Sequence, residues 1–349
     1  MLAYTMKLST HTDISNVFSI INGELKQVKE FISSSVFYGM PAVIRQAVCP
    51  LRDSLFSGKM LRPALVILSY RALKDRLYKK TAADLLRQAR STASEVIRVA
   101  AVVELIHNAT LLHDDVIDGG EKRRGAPTMN SLLGNETAVL LGDFLLSKVF
   151  KLCVNLRPAV VRIISAAAGR TCEGELSQTM QKGNWRLSER EYLEIITEKS
   201  AVLFSGCCRA GAVLAGADES QVELLGSFGL NLGVAFQITD DLLDIFGDEG
   251  RTGKTLGSDA GKSKPTLALI HLLRTVKKEA RERLIEKLNN PLENKGVLLE
   301  MLKTRGSLEY TQNKAQEFAV KAIEDLADIR ESDAKEVLIE TTRFVTGRI

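Results

Sequence analysis

Two acidic triplets with the same internal spacing constrain this chain more than any other feature. In each triplet the carboxylates stand at positions i, i+1 and i+4: Asp114, Asp115 and Asp118 in the first, and Asp240, Asp241 and Asp244 in the second. Residues four apart share one face of a helix, so each triplet collects negative charge at a helix end, where the macrodipole also disfavours anions. One such cluster could be a solvated acidic helix end. Two matching clusters instead predict a divalent-metal site between facing helices.

Helical periodicity runs through the rest of the sequence. Apolar residues recur with helical spacing in six segments, 13–33, 63–77, 93–117, 158–178, 188–210 and 218–246, and the segment 63–77 is apolar enough to be buried. Further helices are predicted to begin at Pro41 and after a cap at Asn135, and a set of more charged helices follows Pro265. No alternating strand pattern is seen. The sequence therefore predicts an all-α fold, a single helical domain over residues 1–349 whose first dozen or so residues are flexible.

Three glycines, at positions 226, 229 and 233, fall inside one predicted helix. Each lowers helix propensity by roughly 1 kcal/mol. Close approach of another helix or of a ligand is the expected compensation.

The composition gives information on the binding partners of the protein and on its cellular compartment. A net charge of +4 in 349 residues is too even to indicate nucleic-acid binding. The 5 cysteines show no metal-ligand or disulfide pattern, which predicts an intracellular, reducing compartment. An organelle such as a mitochondrion or plastid follows if a transit peptide has been removed. No run of about eighteen apolar residues is present, so no transmembrane segment is predicted.

The basic residues divide into two groups that suit two diphosphates. Lys59 and Arg62, one helical turn apart beside Gly58, could hold one diphosphate without metal, together with His107 and Arg124. A second group could help metal ions hold the other diphosphate: Arg123, Lys199, Lys254 and Lys264. Mg²⁺ prefers one or two carboxylates plus phosphate oxygens, and such ions stabilise a departing diphosphate. Both histidines of this region, His107 and His113, are expected to be hydrogen-bonded within an apolar helix rather than to bind metal.

The motifs together resemble those of the trans-isoprenyl diphosphate synthases, most like long-chain all-trans-polyprenyl (solanesyl-type) diphosphate synthases. The likeness rests on several segments in the family's order over about residues 40–270: Gly58-Lys59-x-x-Arg62-Pro63, Asp114–Asp118 followed by Arg123-Arg124-Gly125, Lys199-Ser200, Phe236-Gln237 before Asp240–Asp244, and Lys254 with Lys264. Ser200 stands where many members have Thr.

The resemblance implies a fold, an activity and roles for individual residues. The fold would be the isoprenoid synthase bundle with a central cavity, and the activity a Mg²⁺-dependent 1′-4 condensation of an allylic diphosphate with successive isopentenyl diphosphates. All six aspartates would be catalytic, with roughly two or three Mg²⁺ ions on Asp114, Asp118, Asp240 and Asp244. Isopentenyl diphosphate would bind Lys59, Arg62, His107 and Arg124, and the allylic diphosphate Arg123, Lys199, Ser200, Gln237, Lys254 and Lys264.

The resemblance also implies a homodimer, a product used for quinone (ubiquinone) side chains, and peripheral membrane contact when product is released. Within the family, bulky residues just before the first motif stop chain growth early. Ala109 and Thr110 occupy those positions and are small, which predicts an open tunnel and a long product.

Other functions remain open at this stage. The chain could be a short-chain (geranyl or geranylgeranyl) diphosphate synthase, or a non-catalytic prenyl synthase subunit, although such subunits usually lose an acidic motif. A terpene cyclase or head-to-head synthase would not need the Lys59 and Arg62 pocket. A nucleotide-binding loop at Gly253-Lys254-Thr255 is excluded, because Asp248 stands where its first Gly is needed.

Overall fold

Helices dominate the part of the chain that the structure describes. The computed structural model describes residues 14–38, 40–48, 52, 58–74, 82–123, 125–246, 263–290 and 293–348. The helices before the first triplet and at it are α1 (Ile14–Val17), a 3₁₀ turn (Ser19–Ile21), α2 (Asn22–Phe37), α3 (Ala42–Ala47), α4 (Leu61–Lys74) and α5 (Ala82–Ile117). The predicted all-α class is confirmed.

The remaining elements continue the bundle. After a short hairpin of β1 (Lys122–Arg123) and β2 (Ala126–Pro127) come α6 (Met129–Leu133), α7 (Asn135–Cys153), α8 (Pro158–Met180), α9 (Glu189–Ile196), a π-helix (Thr197–Ala201), α10 (Val202–Ala215) and α11 (Glu219–Phe246). The last helices are α12 (Leu267–Thr275), α13 (Lys278–Asn289), α14 (Lys295–Thr304), α15 (Ser307–Asp325) and α16 (Asp333–Thr346).

The structure corrects several local predictions. The segment 13–33 is two helices and a 3₁₀ turn, and α5 begins at Ala82, earlier than predicted. Asn135 is the first helical residue rather than the cap, because Gly134 takes the N-cap position at a φ of 84° that favours glycine. The two-residue strands of the hairpin pair antiparallel and were too short to give an alternating pattern. A capping box formed by Ser188 and Glu191 begins α9.

Helix α10 is the centre of the core. Nearly all of its side chains are buried, and it packs against α4, α8 and α11. Two of the three glycines of α11 allow this packing: a Cβ at Gly229 would overlap the Phe204 carbonyl, and one at Gly233 would overlap Ala201. Helix approach therefore offsets the lost propensity at these positions.

Two stretches are long and apolar enough to cross a membrane by length and composition. They are Ser94–Ile117 in α5 and Glu219–Ile245 in α11, and 72% and 56% of their apolar windows are buried inside the bundle. Both are core helices that carry an acidic triplet at their ends, so their apolar character is explained by packing.

Candidate active site

Each acidic triplet lies at the C-terminal end of a long buried helix. The first ends α5, which stops where Gly119 turns the chain with a φ of 59°. The second lies in the last turns of α11. Two observations bring the triplets together. Lys264, downstream of α11, contacts Asp118. The pKa of Arg123, which burial lowers, is raised overall by its hydrogen bond to Asp115 and, to a smaller extent, by the charges of Asp114 in the first triplet and Asp240 in the second. The triplets therefore border one site.

The middle aspartate of each triplet is held by protein donors. Arg123, presented by the hairpin, donates from Nε (2.9 Å) and Nη2 (2.6 Å) to Asp115 Oδ1. Asp241 accepts from the Tyr192 hydroxyl (2.6 Å) and from Gln237 Nε2 (2.7 Å). Both carboxylates are buried, at 7% exposure. These two side chains are fixed by hydrogen bonds on the protein side.

The outer aspartates lie among cations. Asp118 Oδ2 accepts from Lys264 Nζ at 2.7 Å, and Lys182 Nζ lies 3.5 Å from Asp118 Oδ1. Arg348, near the C-terminus, places Nη2 3.7 Å from Asp240 Oδ1. Positive side chains at these positions can bind a diphosphate that enters between the triplets.

Asp114 has an unusual proton affinity. Burial raises the pKa of its carboxyl group to about 6, with a further rise from Glu175, and the positive charge of Lys199 opposes both. A buried carboxyl group with a raised pKa is typical of a site that awaits a cation.

Lys199 reaches the site from a distorted helical turn. It lies in the π-helix between α9 and α10, where a Cβ at Gly174 of α8 would overlap its backbone nitrogen. This close approach lets the Lys199 ammonium contact Glu175 Oε2 (2.5 Å) and donate to Gln178 Oε1 (2.7 Å). Lys199 is thereby held between α8 and the first triplet.

The next residue, Ser200, joins the same turn to the second triplet. Its hydroxyl donates to Gln237 Oε1 at 2.6 Å, and Gln237 in turn donates to Asp241. The predicted pair of Ser200 and Gln237 is therefore brought together, as a support for the middle aspartate.

The basic group predicted to bind a diphosphate without metal lies around the start of α4. The Lys59 ammonium lies 4.8 Å from the ring centroid of Phe344, and the Arg62 guanidinium 4.9 Å from that of Phe204. Both Arg62 and Glu104 act on the pKa of Cys207, which burial raises, so α4 and α5 meet near this point. His107 lies one turn after Glu104 on α5, on the way to the first triplet. Arg124 and Lys254 lie outside the described residues.

The two predicted chain-length positions are small and face the interior to different degrees. Ala109 is fully buried, and Thr110 is half-buried with its hydroxyl donating to the His107 carbonyl at 2.8 Å. The nearby His113 contacts the Val139 carbonyl at 3.2 Å, and a Cβ at Gly142 would overlap its ring. His113 is thus hydrogen-bonded to its neighbours, as predicted.

Several site residues have no signal in the sequence. Four were missed and contact predicted site residues: Glu175, Gln178, Lys182 and Tyr192. Arg348 is a fifth. They come from segments far from both triplets and follow no motif spacing, so only the packing of the bundle reveals them.

The carboxylates of the two triplets are the candidate ligands for magnesium. In the portions of the chain with described coordinates, no group of three or more His, Cys, Asp or Glu side chains could hold a metal ion. Mg²⁺ keeps several waters and takes substrate phosphates alongside one or two carboxylates. Outer aspartates at the edge of one site fit that requirement, since the remaining ligands would come from diphosphate.

Comparison with known proteins covers most of the chain. Residues 47–304 match the family model described as polyprenyl synthetase. The chain is 34% identical over 346 residues to an octaprenyl diphosphate synthase of Haemophilus influenzae, covering 98% of this chain and 99% of that protein. It is 33% identical over 298 residues to a short chain isoprenyl diphosphate synthase of Methanocaldococcus jannaschii, covering 84% of this chain and 86% of the other.

A solved structure has the same fold. The structure of a polyprenyl synthase from Caulobacter crescentus, complexed with calcium and isoprenyl diphosphate, superposes with a TM-score of 0.84 at 32% identity. The match covers 96% of this chain and 98% of that one.

Proposed function

The chain belongs to the polyprenyl synthetase family, and we propose that it is a prenyltransferase that condenses an allylic diphosphate with successive isopentenyl diphosphates into a long all-trans-polyprenyl diphosphate. The observation that carries this proposal is the contact between Lys264 and Asp118, which joins the segment beyond the second triplet to the first. With that contact, carboxylates for metal and cations for phosphate border a single site.

The residues of the site divide the work of the reaction. Magnesium, when bound by Asp114, Asp118, Asp240 and Asp244, would stabilise the negative charge that develops on the leaving diphosphate. Lys199, Lys264 and Arg123 would donate to the oxygens of the same diphosphate. Lys59, Arg62 and His107 would hold isopentenyl diphosphate from the side of α4 and α5.

The covalent steps then follow from this arrangement. The bond between C1 and oxygen of the allylic substrate breaks, and its electron pair leaves with the diphosphate. The double bond of isopentenyl diphosphate forms the new carbon–carbon bond to the allylic cation, and loss of a proton restores a double bond. The product is again an allylic diphosphate, so the cycle repeats. The buried core of α5, α10 and α11 keeps water from the cation.

Small residues before the first triplet support a long product. Ala109 is buried and Thr110 half-buried on α5, so a bulky side chain at either position would block a chain that grows along this helix, whereas these small ones would not. The relatives include both an octaprenyl and a short chain synthase, so the product assignment rests on these residues. A long all-trans chain is suited to a quinone side chain.

The exposed apolar surface supports a homodimer. Two consecutive helices, α7 and α8, carry large apolar side chains that are more than 60% exposed: Leu140, Phe150, Leu176 and Met180. Large exposed apolar side chains are typical of surfaces that bind another protein, and a second copy of this chain is the partner we propose. Light scattering of the purified chain is expected to give twice the mass of 38.3 kDa, and Phe150→Glu with Met180→Glu to give a single chain mass.

Chromatography of dephosphorylated products tests the proposed reaction. Purified protein is incubated with labelled isopentenyl diphosphate, Mg²⁺ and geranyl, farnesyl or geranylgeranyl diphosphate in turn. We expect a ladder that ends at long chains, and Ala109→Phe to shorten it while Val297→Phe on the exposed face of α14 does not. A ten- or fifteen-carbon product alone would support a short-chain synthase. No incorporation would support a non-catalytic subunit, and product without isopentenyl diphosphate would support a cyclase.

A further inference from the structure

A tight turn after α8 presents a lysine that the sequence motifs do not include. In this turn the Asn184 backbone N–H donates to the Gln181 carbonyl (3.0 Å), and the Asn184 side chain donates to Gln181 Oε1 (2.6 Å). Gly183 has a φ of 76°, which a residue with a side chain rarely adopts. Lys182 is therefore carried by a backbone that is fixed on both sides.

The turn is attached to the segment that carries Lys264. The Gly183 backbone N–H donates to the Ser263 carbonyl at 2.8 Å, one residue before Lys264. As a result the two ammonium groups approach Asp118 together: Lys264 contacts Oδ2 at 2.7 Å and Lys182 lies 3.5 Å from Oδ1. One carboxylate of the first triplet thus has a lysine at each oxygen.

The charge around Asp118 suits an arriving anion. The Lys264 side chain, only 8% exposed, contacts Asp118 at hydrogen-bond distance. Lys182 is the more exposed of the two, at 28%, and lies at a distance typical of a looser ion pair. An ammonium on a flexible stem binds phosphate as a point charge and can turn toward it without moving the backbone.

We propose that Lys182 is an additional ligand of the allylic diphosphate, which it binds together with Lys264 on either side of Asp118. The inference rests on the proposed function, because it names a further residue of the same substrate site. In its simplest rival, Lys182 only neutralises Asp118. Removing the lysine would then leave diphosphate affinity unchanged and strengthen Mg²⁺ binding.

Calorimetry with a non-reactive substrate analogue distinguishes these roles. Binding of farnesyl thiolodiphosphate with Mg²⁺ is measured for the wild type, Lys182→Gln and Lys182→Arg. The matched control is Arg186→Gln, which removes the same charge from an exposed position of the same loop. We expect Lys182→Gln to weaken binding roughly tenfold, the loss of one charge-assisted contact, and Lys182→Arg to restore most of it.

Steady-state kinetics provides the second measurement. The KM for the allylic diphosphate should rise by a similar factor in Lys182→Gln, whereas the KM for isopentenyl diphosphate should stay within about twofold. Unchanged analogue affinity in Lys182→Gln, or an equal loss in Arg186→Gln, would overturn the inference. If the wild type itself fails to elongate, the proposed function fails instead, so the two failures are distinct. Far-ultraviolet circular dichroism of each variant verifies folding, and Lys182→Met, which also removes the charge, replaces Lys182→Gln if that variant does not fold.

Discussion

The two acidic triplets have the same spacing but are held in different ways. In the first, the middle carboxylate of Asp115 is bound by a guanidinium, that of Arg123. In the second, the equivalent Asp241 is bound by neutral donors, the Tyr192 hydroxyl and the Gln237 amide. Sequence spacing alone made these positions look alike.

The difference assigns separate tasks to the residues of each triplet. Because both middle carboxylates are held by hydrogen bonds within the protein, we propose that the outer aspartates are the ones that bind the metal ions. The first triplet is surrounded by cations that can also bind diphosphate, namely Arg123, Lys264, Lys182 and Lys199. The middle carboxylate of the first triplet therefore orients a cation, the Arg123 guanidinium, whereas Asp241 is held by neutral groups.

The largest effect is expected at the outer aspartates of both triplets. Asp118→Asn and Asp244→Asn each remove a carboxylate needed for metal-assisted departure of the diphosphate, so kcat should fall roughly a thousandfold in both. Steady-state assays at saturating substrate measure this loss. A fall in kcat in only one of the two variants would contradict the expectation that the outer aspartates of both triplets have the same role.

The middle positions should respond unequally. Arg123→Gln removes the partner of Asp115 and a cation beside the outer carboxylates, so kcat/KM should fall roughly a hundredfold. Tyr192→Phe removes one neutral donor and should lower kcat/KM less than about fivefold while costing about 1 kcal/mol of unfolding free energy. Kinetics and urea denaturation measure both quantities. Equal kinetic losses would contradict the distinction between charged and neutral support.

The sequence predicted the residues of the two triplets but not the hydrogen bonds that hold them. The spacing of the triplets and the Gly-Lys and Lys-Ser motifs required only local patterns, and the helices that carry them were found from apolar periodicity. Arg123 was predicted as a diphosphate ligand, but its pairing with Asp115 depends on tertiary packing, because the hairpin that presents it has strands of only two residues. Tyr192 was not predicted, because it reaches Asp241 from another helix. The π-helix at Lys199 depends on contact with Gly174, which a sequence pattern does not reveal.

A pH dependence should distinguish the first triplet. Asp114 has a folded-state pKa of about 6, so in the metal-free protein it becomes mostly protonated as the pH falls from 7 to 5. Because Mg²⁺ binds the ionised form, the Mg²⁺ concentration for half-saturation should rise roughly tenfold over that range. Titration followed by Trp185 fluorescence, with Asp114→Asn as the control, measures it, and a flat profile would count against the raised pKa.

The raised pKa of Asp114 also makes the stability of the metal-free chain depend on pH, in the direction opposite to Mg²⁺ binding. Since the folded-state value lies above the ordinary 3.8, the contribution of Asp114 to the stability of the metal-free chain is present below about pH 4. It is lost as the pH rises through 6. Metal-free protein should therefore gain more stability from Asp114→Asn at pH 7 than at pH 4, as measured by urea denaturation.

The smallest effect is expected at Arg348 beside the second triplet. Its guanidinium lies 3.7 Å from Asp240, farther than Lys264 lies from Asp118, and stacks over Phe236 at 5.5 Å. Arg348→Gln should raise the KM for the allylic diphosphate roughly two- to threefold, as for a partly screened charge. Lys264→Gln, measured in the same assay, should raise this KM by a larger factor. A smaller factor for Lys264→Gln than for Arg348→Gln would show that Arg348 is the stronger contact.

A crystal structure with Mg²⁺ and farnesyl thiolodiphosphate tests the central claim most directly. We expect metal ions coordinated by Asp114, Asp118, Asp240 and Asp244, and hydrogen bonds from Lys199 and Lys264 to the diphosphate oxygens. Asp115 should remain on Arg123, and Asp241 on Tyr192 and Gln237. Metal coordination by Asp115 or Asp241, with their present hydrogen bonds broken, would contradict the claim that the middle carboxylates are fixed supports.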